Sequence, residues 1–271
     1  MSENVYPKGA SRAPILMNFI YFVGTAGSGK STMVGAFKDW LDDNGIDSIT
    51  INLDPGAEKL SYVPDIDIRE WICLDEVMAE YSLGPNGAQI TAADLMAVNM
   101  DKITDLLEGY SVDYVLIDTP GQLELFAFRE SSRVVVDALG RENSMIVYLS
   151  DPLLYKTANG FVSTLTLSSL VQFRMNLPMI SLLSKADTLK ESNAQRILDW
   201  FNNPDTLYSD LLDEDTDPTS PMAMALFRAI EDSGVFGEMR SVSAETGAGI
   251  QEIYAAVQMQ FSGGEDAESQ Y

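Results

Sequence analysis

The sequence predicts an α/β fold: a mostly parallel sheet with helices on both faces and a helical insertion. Three observations predict it. Short apolar runs rich in β-branched and aromatic residues alternate with stretches of helical periodicity, the pattern of parallel strands joined by crossover helices. The first run ends in a glycine-rich turn that opens a helix. Residues 202–237 break the alternation with acidic residues, three prolines and an apolar helix, "PMAMALFRAIEDSG", which reads as an insertion over the sheet edge.

The elements follow in order. Residues 1–14 read as a loose polar arm. Lys8 and Arg12, followed by "APILMNFIYFVGTAG", imitate a secretory signal, but Asn18 interrupts the apolar run and cleavage would destroy the glycine turn. "ILMNFIYFV" is therefore the first strand, and "SITINL", "YVLID", "MIVYLS", "MISLLS" and "MRSVS" are the others. Helical periodicity runs over residues 31–41 and 92–107. Cys73, in "REWICLDEVM", reads as a small buried hydrophobe. Gly84-Pro85-Asn86-Gly87 predicts a tight turn that carries Asn86 at the tip of a stiff projection. "FVSTLTLSSLVQF" has the apolar positions of a core helix. The body ends near residue 261, and residues 262–271 read as a disordered acidic tail.

Composition narrows the chemistry. The chain of 271 residues has no histidine, which excludes His metal sites, Ser-His-Asp triads and imidazole acid–base catalysis. One cysteine forms no internal disulfide, consistent with a reducing cytoplasm. A net charge of −24, from 41 acidic against 17 basic residues, argues against direct nucleic-acid binding. No segment reaches the length of a membrane span.

Four motifs carry the chemistry. "GTAGSGKS", residues 24–31, fits G-x-x-x-x-G-K-[ST] between a strand and a helix. Its glycines let the backbone N–H groups of Gly24, Thr25, Ala26, Gly27, Ser28 and Gly29 curl inward at phosphates, at the positive end of a helix that begins at Ser31 and whose Thr32 is also expected to bind the nucleotide. Lys30 reaches the β- and γ-phosphates, and the Ser31 hydroxyl ligates Mg²⁺. "YVLIDTPGQLE" supplies the other half. Asp118 at a strand's carboxyl end holds Mg²⁺, and Gly121 lets backbone approach a γ-phosphate. Gln122 is placed to orient an attacking water and Glu124 to tune it. In "LLSKADTL", Asp187 accepts the two donors of guanine while the Lys185 stem crosses the base face. In "SVSAETG", Ser243 and Ala244 offer a backbone N–H to guanine O6.

Residues 24–31, 118–122, 184–187 and 243–244 match, in order, the motif series of GTPases, and with "NLDPG" and "GPNGA" the chain resembles a GPN-loop GTPase of the compact archaeal type. The resemblance implies a P-loop NTPase fold, GTP/GDP and Mg²⁺ as ligands, and a homodimer with nucleotide at the subunit interface. It implies that Asn86 of one subunit projects toward the phosphates of the other, and that Asp54 lies near the γ-phosphate and polarises water. Eukaryotic relatives are linked to RNA polymerase II assembly and nuclear import, so a client protein is expected. One departure stands out: Ser184 takes the place of the family's asparagine, and a hydroxyl makes fewer of the bonds that brace the phosphate loop. The leading reading is a GTP-hydrolysing dimeric switch acting on a protein assembly. The alternatives are an assembly chaperone gated by nucleotide with negligible turnover, and a kinase acting on a small molecule or RNA end.

Overall fold

A computed structural model describes residues 17–214, 219–234 and 239–262. Among the described residues seven strands form one parallel sheet: β1 (Asn18–Gly24), β2 (Ser48–Asn52), β3 (Ile66–Asp67), β4 (Tyr114–Asp118), β5 (Ser144–Ser150), β6 (Met179–Leu183) and β7 (Met239–Ser241). Their spatial order is β3-β2-β4-β1-β5-β6-β7. The helices are α1 (Lys30–Asp43), α2 (Leu74–Tyr81), α3 (Pro85–Val98), α4 (Met100–Leu107), α5 (Leu123–Ala127), α6 (Glu130–Leu139), α7 (Ala158–Met175), α8 (Glu191–Asn202), α9 (Pro204–Asp213), α10 (Ser220–Asp232) and α11 (Ile250–Ser262).

The pleat explains why the central strands are apolar throughout. On β1, Phe19, Tyr21 and Val23 enter the core beneath α2, α3, α4 and α6, while Ile20 and Phe22 enter the core beneath α1 and α11. β4 and β5 alternate in the same way, with Ile117 and Tyr148 on the first face and Leu116 and Val147 on the second. A third cluster, centred on Phe161, Trp200 and Phe227, packs α8, α9 and α10 against α7. Thus α9 and α10, in the stretch expected to be inserted, share apolar packing with the body.

Several expectations need correction. Residues 92–107 are not one helix: Asn99 separates α3 from α4, and its side-chain amide donates to the Leu95 carbonyl at 2.9 Å, competing with the helical ladder. Gly84 to Gly87 is not a tight turn but a helix start. Gly84 is the N-cap with φ of −77°, Pro85 takes the first helical position where its missing N–H costs nothing, and Asn86 is exposed in the first turn. Cys73 is exposed, because it stands at the N-cap of α2, outside the stripe in which Val77 is buried. β3 was not among the expected strands. On α7, Phe161, Leu165 and Val171 are buried as expected, but Leu170 and Phe173 are exposed. The expected N-terminal arm lies outside the described residues, as does the expected tail apart from Ser262, which ends α11.

Candidate functional site

The carboxyl ends of β1, β2 and β4 meet at one place, where the strand order reverses around β1. Gly24 lies so close to β5 that an added Cβ would stand 2.3 Å from the Leu149 carbonyl oxygen and 2.7 Å from Ser28 Oγ. Gly27 and Gly29 hold φ of 77° and 91°, the left-handed region that favours glycine. Thr25, Ala26 and Ser28 complete the curl, which the Ser28 N–H closes on the Thr25 carbonyl at 3.1 Å. The Ser28 hydroxyl is buried and has no protein partner. Lys30, Ser31 and Thr32 form the first turn of α1, so its positive end lies at the loop.

Lys30 joins two loops. Its Nζ donates to the carbonyls of Gly24 at 3.0 Å, Thr25 at 3.2 Å and Gly121 at 3.2 Å. Burial lowers its pKa, opposed by the nearby carboxylates of Asp118 and Asp54. Asp118 is 1% exposed at the end of β4. Burial pushes its carboxyl up to about 6 against the pull of Ser31, Tyr62 and Lys30. The Tyr62 hydroxyl donates to Asp118 Oδ2 at 3.1 Å, whereas the buried Oδ1 has no partner. A buried carboxylate oxygen left without a partner beside the Ser31 hydroxyl and the phosphate loop is a donor set whose chemistry would fit a divalent cation.

Asp54 and Gly121 meet directly. Asp54 Oδ2 accepts from the Gly121 N–H at 2.8 Å, and its Oδ1 accepts from the Gly56 N–H at 2.8 Å. The loop after β4 is anchored behind this contact by Thr119, whose hydroxyl donates to the Phe22 carbonyl at 2.7 Å. Gln122 is exposed at the N-cap of α5, and its Nε2 donates to Gln89 Oε1 at 2.6 Å. Gln89 lies on α3 one turn from Asn86, so the GPN helix and the Gln122 loop are tied together. Asn86, Gln122 and Glu124 line one hollow of about 550 Å³, with Ile90, Leu125 and Arg129.

A second cavity of about 260 Å³ holds the expected base-reading residues. It is lined by Ser28, Gly29, Thr32, Ser184, Lys185, Asp187, Ala244 and their neighbours. Asp187 Oδ1 accepts from the Ser243 hydroxyl at 2.6 Å. The Ser243 N–H donates to the Ala248 carbonyl at 2.9 Å, so it is not presented to a base; Ser243 instead orients Asp187. Ser184 does not brace the phosphate loop, since its hydroxyl turns back to the Ser150 carbonyl at 2.9 Å. Lys185 does: its Nζ donates to the Gly27 carbonyl and pairs with Asp151 Oδ2 at 2.8 Å.

Sequence reading missed Tyr62, Gln89 and Asp151. Each lies outside a recognised motif and reaches the site from a neighbouring loop or helix. Asp151 alone carried a local signal, an acid at the carboxyl end of a buried strand.

The chain is similar to known proteins over most of its length. The family described as "Conserved hypothetical ATP binding protein" matches residues 22–263. The GPN-loop GTPase of Pyrococcus abyssi is 37% identical over 193 residues, 69% of this chain and 75% of that protein. GPN-loop GTPase 1 of Dictyostelium discoideum is 30% identical over 241 residues, 88% of this chain, which spans 60% of that relative's length. The crystal structure of the Pyrococcus abyssi GTPase in apo form superposes with a TM-score of 0.78 at 32% identity, covering 92% of this chain and 99% of that one. Among the described residues no helix is long and apolar enough to cross a membrane.

Proposed function

This chain belongs to the GPN-loop GTPase family, and from that premise we propose that it works as a dimeric, Mg²⁺-dependent switch acting on the assembly of a protein complex. It is a P-loop GTPase that binds GTP and hydrolyses it. The observation that carries the finer reading is the contact of three catalytic loops: Lys30 from the phosphate loop bonds Gly121, and Asp54 from the loop after β2 bonds the same residue's N–H. A phosphate group entering there competes for both bonds, so its presence is felt in all three loops.

Lys30 and the curled backbone of residues 24–29 hold phosphate oxygens. Ser31 and Asp118 are the residues that would hold Mg²⁺, which would supply positive charge against the charge developing on those oxygens. Asp54 and Gln122 are the polar groups at hand for orienting water, and Glu124 stands in the first turn after Gln122. The matched family's description speaks of ATP, whereas the named relatives are GTPases. Guanine is favoured here because Asp187, held by Ser243, is an acceptor-only carboxylate that suits the N1 and exocyclic donors of guanine.

Two identical subunits are proposed on the exposed position of Asn86 in the first turn of α3, beside Gln122, which suits a side chain that completes a neighbour's site. Exposed Phe173 (82%) and Leu170 (42%) on α7 support a client surface, and they also suit the reading of a nucleotide-gated chaperone with negligible turnover. Multiple-turnover phosphate release separates the two. The switch requires Mg²⁺-dependent release from GTP well above that from ATP, and a single burst without turnover contradicts it.

A further inference from the structure

The two-residue strand β3 serves the site. Its register with β2 sets Asn52 opposite Asp67, and Asn52 Nδ2 donates to Asp67 Oδ1 at 2.9 Å. Two residues on, the Arg69 guanidinium grips the Asp67 carboxylate: Nε lies 2.9 Å from Oδ1 and 3.0 Å from Oδ2, and Nη2 lies 2.6 Å from Oδ2. The Arg69 N–H adds a bond to Oδ1 at 3.0 Å. The remaining arm, Nη1, donates to the Ala57 carbonyl at 2.8 Å.

Ala57 belongs to the Asp54 loop, and its N–H bonds the Asp54 carbonyl at 3.3 Å. At the other end Asn52 clamps the Asp54 backbone, its Oδ1 accepting from the Asp54 N–H at 3.0 Å and its Nδ2 reaching the Asp54 carbonyl at 3.3 Å. Residues 54–57 are thus held at the start by Asn52 and at the end by Arg69, and Asp67 joins the two holders. The loop's outward product is the Asp54 carboxylate, fixed on the N–H groups of Gly56 and Gly121.

The charges suit a permanent brace. Burial works to raise the Asp67 pKa, but the bonds from Arg69 and Asn52 outweigh it and leave the carboxyl below its ordinary value. With side chains 15% and 32% exposed, Asp67 and Arg69 gain little stability from the ion pair itself. What the pair supplies is direction: a planar fork bonds a carboxylate and a carbonyl at once, which a lysine ammonium does not reproduce.

We propose that Arg69 is a positioning residue for GTP hydrolysis, acting through Asp67, Asn52 and Ala57 to fix the Asp54 carboxylate on Gly121. It rests on the reading that Asp54 works at the γ-phosphate. Its bonds to Asp67 and Ala57 lie behind the Asp54 loop, so its loss is felt in turnover and not in nucleotide capture. Outer residues that orient a reacting group typically change its performance by about ten- to a hundredfold.

The test compares Arg69→Ala, Arg69→Lys, Asp67→Asn, Asp54→Asn and the Arg69→Ala/Asp54→Asn double variant in the full chain. Turnover is read by phosphate release and affinity with a fluorescent GDP analogue. The expected result is a loss of turnover of about ten- to a hundredfold in Arg69→Ala, with a similar loss in Asp67→Asn and most of it in Arg69→Lys, at nearly unchanged GDP affinity. The double variant should be no slower than Asp54→Asn alone, because both changes remove one function. Added guanidinium, at about a few tens of millimolar and so far below unfolding concentrations, should restore part of the Arg69→Ala rate. Full turnover in both Arg69→Lys and Asp67→Asn, multiplicative losses in the double variant, or a parallel loss of GDP affinity overturns the proposal. Asp54→Asn at full rate overturns the reading beneath it, a result distinct from a slow Asp54→Asn beside fast Arg69 variants.

Discussion

Asp118 shows how the site concentrates electrostatic cost in one side chain. Its carboxyl sits at about 6 in the fold against an ordinary 3.8, so the native state holds the proton more tightly than the unfolded chain. Stability from this group is greatest below the ordinary value and is lost as pH rises through about 6. Asp118→Asn removes that loss. In metal-free protein the variant should melt at or above the unmodified temperature at pH 8, and the difference should vanish near pH 4, as calorimetry would record. Its Mg²⁺-supported hydrolysis should fall by at least about a hundredfold. At the other end of the site Asp187→Asn should turn the preference from guanine toward xanthine nucleotides, measured by competition binding; a variant that still prefers GTP over its xanthine counterpart places base selection elsewhere.

At the scale of elements, the insertion is stapled to the body by a cap. Glu214, beyond α9, accepts from the N–H groups of Ala158 at 2.8 Å and Asn159 at 3.2 Å, and from Asn159 Nδ2 at 3.0 Å. A carboxylate there satisfies orphan donors at the positive end of α7. Glu214→Ala should cost about 1 kcal/mol, the usual worth of a cap, in denaturant unfolding, with GTP affinity unchanged. Such a contact was illegible in the sequence, because 55 residues separate Glu214 from Asn159. The central strands were legible because burial on both faces leaves long apolar runs, as on β1. β3 was not, since two residues carry no periodicity. The GPN helix was misread because glycine and proline signal a turn as readily as the start of a helix. The phosphate loop was legible because its residues are contiguous, whereas Tyr62, Gln89 and Asp151 reach the site through tertiary contacts that no local pattern encodes.

Across the whole molecule, a net charge of −24 is a standing repulsion against compaction and association. Raising potassium chloride toward about 1 M, where the screening length falls to about 3 Å, should raise the melting temperature and favour pairing of subunits. A melting temperature that falls steadily with salt means the acidic excess is already compensated locally. Pairing matters most for Asn86, exposed on α3 and tied through Gln89 to the Gln122 loop. The decisive measurement mixes two variants expected to be slow, Asn86→Ala and Lys30→Ala, and follows GTP turnover. If each phosphate loop is completed by its partner's asparagine, mixed pairs join the intact Lys30 of one subunit to the intact Asn86 of the other. Random mixing should then recover about a quarter of the unmodified rate, since half of the pairs are mixed and each holds one competent site of two. A mixture no faster than the two variants measured separately contradicts a site shared between subunits.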